Sequence, residues 1–341
     1  MYYAPIMIPT LCRSEHFIRC IESLKKNSWA KYTDVYIALD YPSKESHRDG
    51  YKKICKYLEG EFKEFRQFNV IKRPYNYGSV KNSRDLRNKL LMKYDRFIRT
   101  DDDCEFSENF LEFMDKCLEK YEDDESVLGV TGYSYPIKWD ISPECNAFKN
   151  MIVFPMWGTG FWKRSFKELE DNLMNGFINE FVQKNGLHRK QMTDARYLEC
   201  LCEAYGYDKG SLLNNVSDVA CGCYLQLKNK YIISPKKSMV RNYGFDGSGV
   251  YCQNTKNNSE DINNATEYNY IYQSIDENNT INLKVDESSN FTKNRKLMNA
   301  FDNRGNKVIL KAQIKYLIKK IIFKLLGKDK YLKVKKRRSG R

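Results

Sequence analysis

The first 130 residues alternate between short apolar runs and stretches with helical spacing, and this alternation restricts the fold more than any other feature. The runs predicted as strands are residues 6–10, 35–40, 68–72, 96–100 and 127–131. Between them apolar residues recur every three or four positions, as at Phe17, Ile21 and Leu24, and predict helices, the first capped by Ser14. Such alternation predicts an α/β fold with a mostly parallel sheet and helices on both faces.

Polar residues follow several of these predicted strands. Thr10 and Arg13 come after the first strand. Asp40 closes the second strand, and Arg73 comes directly after the third. Ligands bind at the carboxyl ends of the strands in open α/β sheets, so we expect these side chains to lie near one site. Arg13, Arg73 and Arg84 are placed where arginines bind phosphates, although each also fits ordinary surface charge.

Three consecutive aspartates, Asp101 to Asp103, follow the fourth predicted strand. Adjacent carboxylates repel one another, and a divalent cation that also binds a diphosphate would relieve this repulsion. Mg²⁺ and Mn²⁺ prefer such oxygen ligands. The same residues also fit a solvated acidic loop before a helix that starts near Ser107, where acids favour the helix dipole. Taken alone, the three residues leave both interpretations open.

Longer segments resemble the nucleotide-sugar domain of GT-A glycosyltransferases, in particular bacterial family-two enzymes and the N-acetylglucosaminyltransferase I group. The segments are IMIPTLCRSEHFIRCIESL, VYIALD, RPYNYGSVKNSRDLRNKLL and YDRFIRTDDDCEFSENFLEFM. FPMWGTGFWKRSF is similar to the W-G-x-G/A-x-W-K-R segment of family-two enzymes that build surface polysaccharides. KKSMVRNYGFDGSGVYC is similar to their last catalytic segment. The resemblance runs in the family's order from about residue 5 to residue 252.

The resemblance implies a role for each matching residue. It implies a nucleotide-sugar site in which Thr10, Arg13 and Asp40 hold the base and ribose, and Asp102 also contacts the ribose. Asn76, Gly78 and Arg84 would lie beside the nucleotide. Asp101 would contact the donor sugar, and Trp157 and Gly158 would form the wall of the sugar pocket. It implies that Asp103 ligates a Mn²⁺ or Mg²⁺ ion on the diphosphate. For Trp157, packing in the core is an equally good interpretation, because tryptophan is highly buried on average.

An inverting transfer needs a base that accepts the proton of the acceptor hydroxyl. The family places this acid at the start of a helix after the W-G segment, which here is MTDARYLECLCEAYG, so the resemblance implies Asp194. Asp194 also fits the first turn of a helix capped by Thr193. Asp246, within YGFDGSG, is the alternative base, since its flanking glycines suit a tight loop near a ligand. Tyr251 stands where some relatives have a His, so the sequence departs from the family pattern there.

The net charge of +14 is concentrated at the end of the chain. Residues 307–341 contain 14 Lys or Arg and one acid, whereas residues 1–306 are nearly balanced, which disfavours a uniformly basic nucleic-acid-binding protein. Lysines recur among apolar residues at 307, 311, 315, 319 and 324, and predict an amphipathic helix on an anionic membrane. There are two alternatives: the tail is a helix docked on the body with its lysines in solvent, or it is a segment that binds RNA.

Composition divides the chain into three parts. We predict a catalytic domain at 1–252, with a nucleotide-sugar half at 1–131 and an acceptor half at 132–252, then a polar Asn-rich extension at 253–306 and the basic tail at 307–341. No apolar run is long enough to span a membrane, and the first residues do not form a secretory signal. Cysteines that are odd in number and scattered fit reduced thiols in the cytoplasm.

These features together predict a metal-dependent inverting glycosyltransferase on the inner face of a bacterial membrane. The resemblance favours a UDP-linked donor and a glycan or lipid-linked acceptor in surface polysaccharide synthesis, and we expect no nucleic-acid partner. A sugar-phosphate nucleotidyltransferase is one alternative, although such enzymes usually open with a Gly-rich basic phosphate loop, which PTLCRSEH is not. A non-catalytic nucleotide-binding module anchored by its tail is the other.

Overall fold

A computed structural model describes residues 2–136, 138–151, 153–185, 216–248, 273–288, 314, 317–327 and 330. The strands in these ranges are β1 (Ile6–Thr10), β2 (Asp34–Leu39), β3 (Gln67–Lys72), β4 (Arg96–Arg99), β5 (Cys104–Phe106), β6 (Val127–Thr131), β7 (Ala147–Asn150), β8 (Thr159–Trp162), β9 (Tyr231–Pro235), β10 (Val240–Asn242) and β11 (Val285–Asp286). The helices are α1 (Ser14–Lys25), α2 (Arg48–Tyr57), α3 (Ser79–Leu91), α4 (Phe110–Lys120), α5 (Lys163–Met174), α6 (Phe177–Asn185) and α7 (Asp218–Lys228). Residues 317–327 are also helical and are called the tail helix below.

Nine of the described strands form one sheet in the order β11-β7-β9-β6-β8-β4-β1-β2-β3. Strands β3, β2, β1 and β4 are parallel neighbours, so their carboxyl ends meet at one edge of the sheet. Strand β8 is antiparallel to both β4 and β6. Strands β5 and β10 form a separate antiparallel pair. The predicted α/β fold with a mostly parallel sheet is confirmed.

The sheet carries a hydrophobic core on each face because successive strand residues point to opposite sides. Ile6 and Ile8 of β1 pack in one core with Phe17 and other apolar residues of α1. Met7, between them, packs in the other core with residues of α3 that include Leu86. Helices therefore cover both faces of the sheet, as the sequence predicts.

Two local features differ from the simple pattern in the sequence. Arg13, not Ser14, is the N-cap residue of α1, and no side chain caps this helix, so the predicted cap at Ser14 is wrong. Part of the Asn-rich extension, 273–288, packs on the body. Within it β11 pairs with β7, and the carbonyl of Ile281 accepts a hydrogen bond from Lys116 of α4 at 2.7 Å. The division of the chain into three parts stays a prediction.

Candidate functional site

The acidic loop, Asp101 to Asp103, begins two residues after the end of β4 and lies beside the end of β1. Thr10 at the end of β1 donates a hydrogen bond from its hydroxyl to Asp102 at 2.7 Å. Arg13 donates from one guanidinium nitrogen to Asp103 at 2.7 Å and from the other to Asp102. The parallel pairing of β1 with β4 thus brings together Thr10, Arg13 and the aspartates, as the strand-end argument predicts.

Burial shapes the electrostatics of this loop. Asp102 and Asp103 are 5% and 8% exposed. Burial raises the pKa of Asp103 to about 7, and repulsion from Asp101 and Asp102 adds to the rise, while Arg13 opposes it. Burial alone would lower the pKa of Arg13, but the two carboxylates outweigh it, and the pKa is raised. Arg99 neutralises the remaining acid, Asp101, through a contact of 2.9 Å.

The acidic loop has the donor set that a divalent cation on a diphosphate requires. No group of three or more His, Cys, Asp or Glu in the described ranges is arranged to hold a metal ion by itself. Such an ion needs only one or two protein carboxylates, since phosphate oxygens and water complete its shell. The guanidinium of Arg13 shows that Asp102 and Asp103 converge on a positive charge. The residues present therefore fit a Mn²⁺ or Mg²⁺ ion at Asp103.

Asp40, at the end of β2, organises the loop that follows β3. It is 3% exposed and accepts hydrogen bonds from the backbone N–H groups of Tyr41, Tyr77 and Gly78 at 2.9, 2.7 and 2.9 Å. The side-chain amide of Asn76 donates to it at 3.4 Å. These four donors occupy the acceptor positions of the carboxylate. Asp40, Asn76 and Gly78 thus lie together, and the hydrogen bonds to Asp40 hold the loop after β3 in place.

Two arginines predicted near phosphates lie in different environments. Arg73 is buried and donates to the side chain of Asn82 on α3 at 2.7 Å, and it pairs with Asp85 at 2.5 Å. It fastens α3 to the sheet. Arg84 lies exposed on α3, without an ion pair among the described residues, and its charge acts on Arg87. Arg84 is therefore the one of the two whose guanidinium is open to a ligand.

Trp157 and Gly158 lie in the turn before β8. The indole of Trp157 meets the rings of Tyr133 and Phe245 edge-on, with centroids 4.7 and 5.7 Å apart. Trp157 is only partly buried, so it both packs on the core and reaches the surface. Gly158 has a φ of 61°, which favours glycine, and a Cβ there would come within 2.9 Å of the Phe110 ring.

A segment after β10, residues 243–248 and called the strap below, lies against the acidic loop. The backbone N–H of Tyr243 donates to the carbonyl of Asp103 at 2.8 Å. Gly244 lies so close that a Cβ would be 2.2 Å from a carboxylate oxygen of Asp103. The strap follows from the pairing of β10 with β5, which continues directly from Asp103. Sequence reasoning missed this contact because the two segments are far apart in the chain.

Asp246, in the strap, is held by a residue that the sequence analysis did not single out. The imidazole of His16 on α1 lies 2.9 Å from a carboxylate oxygen of Asp246 and 3.2 Å from the hydroxyl of Ser248. The signal was present in the spacing, since His16 follows Arg13 by three residues on a predicted helix. Asp194, with Thr193 and Tyr251, lies outside the described residues.

Comparisons with known proteins give only partial matches. No protein-family model and no curated protein matches the sequence. The mannosyltransferase PcManGT from Pyrobaculum calidifontis, in complex with GDP-Man and Mn²⁺, is 12% identical over 50% of this chain and 46% of its own, with a TM-score of 0.32. S. aureus TarS is 14% identical over 49% of this chain and 29% of its own, with a TM-score of 0.30.

A structure of TarS 1–349 is 12% identical over 50% of this chain and 49% of its own, with a TM-score of 0.34. The chain thus spans less than half of the length of each of these structures. TM-scores below 0.5 do not establish a common fold.

Proposed function

We propose that the protein is a metal-dependent inverting glycosyltransferase of the GT-A type that uses a nucleotide-sugar donor. One observation carries the proposal: at the carboxyl edge of the sheet, two buried carboxylates of the acidic loop both contact the positively charged guanidinium of Arg13. The ordered resemblance to family-two enzymes supports the same activity. A solvated loop that only caps a helix would not bury Asp102 and Asp103.

In this proposal each residue of the site binds a different part of the donor. Asp103 would hold a Mn²⁺ or Mg²⁺ ion, which stabilises the charge of a leaving diphosphate when it is bound. Once Arg13 no longer has to neutralise Asp103, its guanidinium can bind a phosphate oxygen. Arg84 on α3 supplies a second, exposed guanidinium for the same end of the donor. Asp101, paired with Arg99, faces the donor sugar in this proposal.

The finer assignments follow the resemblance. A UDP-linked hexose or N-acetylhexosamine is the donor, and the acceptor is a glycan or lipid-linked glycan of bacterial surface polysaccharide synthesis. Asp194 accepts the proton of the attacking hydroxyl, with Asp246 as the alternative. The bond from the acceptor oxygen to the anomeric carbon forms as the bond to the diphosphate oxygen breaks, and the electron pair leaves with the diphosphate.

The test is a panel of nucleotide sugars with Mn²⁺ or Mg²⁺, read as released nucleoside diphosphate, together with calorimetry of UDP and Mn²⁺. We expect binding and turnover by the native chain and loss of metal-dependent UDP binding in Asp103→Asn. Asp123→Asn is the matched control, because Asp123 is exposed and away from the loop. Unchanged binding by Asp103→Asn would remove the metal role.

The same panel separates the two rival functions. A sugar-phosphate nucleotidyltransferase would release pyrophosphate from a nucleoside triphosphate and a sugar phosphate, and no nucleoside diphosphate from the panel. A non-catalytic module would bind UDP without turnover of any panel member, and its binding would survive Asp194→Asn. For the glycosyltransferase, Asp194→Asn is expected to keep donor binding and to lower transfer by several orders of magnitude.

We also propose that the tail helix holds the protein on an anionic membrane surface, on the inner face of the cell membrane. Except for the partly buried Phe323, its large apolar side chains are exposed, together with the preceding Ile314: Leu317, Ile318, Ile321, Ile322, Leu325 and Leu326. Intervals of three and four place them in one stripe, Lys319 and Lys324 lie at its edges, and Lys320 lies on the opposite face. An exposed apolar stripe edged by lysines suits the interface of an anionic bilayer.

No helix in the described ranges is long and apolar enough to cross a membrane. Cosedimentation with phosphatidylglycerol vesicles tests the proposed surface attachment. We expect binding by the full chain, and loss of binding after truncation at Asn306 or in the triple variant Leu317→Glu, Ile321→Glu, Leu325→Glu. Met92→Glu, which changes an exposed apolar residue of the body, is the control. Equal sedimentation of the triple variant would refute the attachment.

A further inference from the structure

The N-cap and the first turns of α1 present three basic residues at intervals of three, and all three contact the acidic loop or the strap. Arg13 pairs with Asp102 and Asp103. The guanidinium of Arg19 lies 4.0 Å from the centroid of the Tyr243 ring. His16, between them, contacts Asp246. One face of α1 therefore fixes the strap at two points and the acidic loop at a third.

The hydrogen bonds of His16 define which atom donates. Its Nδ1 lies 3.4 Å from a guanidinium nitrogen of Arg19, which can only donate. Nδ1 is therefore the acceptor, and Nε2 carries the hydrogen that is donated to Asp246 at 2.9 Å. The His16 side chain is 13% exposed and that of Asp246 is 37% exposed, so the pair lies at the edge of the site with one side open to solvent.

The strap forms one wall beside Asp103. Tyr243 is hydrogen-bonded to the acidic loop, and Phe245 packs edge-on against Trp157. Asp246 is the last side chain of the short helical turn Gly244–Asp246, and the backbone after it turns through Gly247 with a φ of 88°. The contact with His16 thus fixes the far end of this wall.

The environment of Asp246 suits a hydrogen-bonded, ionised carboxylate better than a proton acceptor. Burial raises the pKa of Asp246, but the hydrogen bonds from Ser248 and His16 outweigh it, and the pKa is lowered. A general base works best with a pKa near the working pH, so a carboxyl group of this type needs a raised pKa. A carboxylate that stays ionised and paired is instead suited to holding a position. The other charged groups facing the strap are Arg19 from α1, Asp103 from the acidic loop, and Arg241 and Glu105, which contact the hydroxyl of Tyr243 at 3.1 and 3.2 Å.

We propose that His16 and Asp246 form a latch, a positioning pair that holds the strap against the acidic loop and thereby supports binding of the donor's diphosphate end. The effect on the donor rests on the proposed function, whereas the latch itself does not. Asp246 is then a positioning residue, and the proton acceptor is left to another carboxylate.

The experiment measures amide hydrogen exchange at Tyr243, calorimetric binding of UDP with Mn²⁺, and kcat and KM for the nucleotide sugar found in the panel. We expect His16→Ala and Asp246→Asn each to speed exchange at Tyr243 about fivefold, the size expected for one lost hydrogen bond of about 1 kcal/mol. We expect a rise of at least about twofold in the Kd of UDP and in KM, with kcat nearly unchanged. The double variant should be no worse than either single variant, because both remove the same contact.

Two matched variants sharpen the result. His16→Gln keeps a hydrogen-bond donor near the position of Nε2 and is expected to restore most of the exchange protection. His47→Gln, at the only other described histidine, is expected to leave every measurement unchanged. Native exchange at Tyr243 in His16→Ala would overturn the latch.

A loss of kcat by several orders of magnitude in Asp246→Asn, with unchanged Kd, would also overturn the latch and make Asp246 the base. If the native chain neither binds UDP nor turns over any nucleotide sugar, the proposed function fails. The exchange measurement still decides the latch in that case.

Discussion

Arg13 neutralises two carboxylates that would otherwise repel each other in a buried loop. Its guanidinium is held by Asp102 and Asp103, and its side chain is 24% exposed. The sequence places Arg13 after a strand and the aspartates after another, but ninety residues separate them. Only the parallel pairing of β1 with β4 shows that these charges meet.

We expect Arg13→Gln to lower the free energy of unfolding in the absence of metal by about 2 kcal/mol, because buried carboxylates lose charged hydrogen bonds. Saturating Mn²⁺ should recover much of the loss by neutralising the same carboxylates. Urea denaturation at pH 7.5, with and without Mn²⁺, measures both effects. Arg48→Gln is the control, since Arg48 pairs with Glu45 on the surface. Equal stability of the Arg13 and Arg48 variants would contradict this account.

The five predicted strands lie within one residue of their observed bounds, and α4 begins three residues after the predicted start near Ser107, while β5 was not predicted. Buried strands such as β1 and β6 are continuous apolar runs, and burial on both faces leaves such runs few alternatives. Strand β11 was not predicted, because two residues carry no periodicity and only the pairing with β7 makes them a strand. The cap at Ser14 was predicted wrongly because Ser14 is already the first residue of α1 and Arg13 is the N-cap.

We expect Asp40→Asn to loosen the loop between β3 and α3. An amide offers one acceptor oxygen where the carboxylate offers two, and its NH₂ group would face either the N–H groups of Tyr41 and Tyr77 or the N–H group of Gly78. The free energy of unfolding should fall by about 1–3 kcal/mol, and amide exchange at Tyr77 and Gly78 should become faster. Asp49→Asn, on the exposed surface of α2, serves as the control. Native exchange at both amides would argue that the loop is held by other contacts.

The packing of the whole molecule places one carboxyl group deep in the core beneath the first strand. Asp115 of α4 is fully buried and accepts a hydrogen bond from the backbone N–H of Ala4 at 2.8 Å. Burial raises the pKa of Asp115 to about 7, and the hydrogen bond from Ala4 and the charge of Arg96 only partly oppose the rise. The folded protein therefore binds this proton more tightly than the unfolded chain does.

This difference predicts how stability depends on pH. Asp115 contributes fully to the free energy of unfolding below about pH 4, where its carboxyl group is protonated in the unfolded chain too. This contribution is lost as the pH rises through about 7. Between pH 4 and pH 8 this loss lowers the free energy of unfolding by on the order of 3 kcal/mol, and we expect that the decrease is absent in Asp115→Asn. Denaturation curves at several pH values measure it, with the exposed Asp171→Asn as control. If the free energy of unfolding of Asp115→Asn depends on pH as that of the native chain does, Asp115 does not determine this dependence.

The sequence by itself determined the α/β class, the helices on both faces and the bounds of five strands, because burial imposes periodicity on each segment separately. It also identified the acidic loop and the amphipathic pattern of the tail, which are local features. Only the tertiary structure decided which distant residues meet: Arg13 with Asp103, Asp40 with the loop at Gly78, and His16 with Asp246. These contacts depend on strand order and on the β5–β10 pairing, and no local pattern of residues encodes either one.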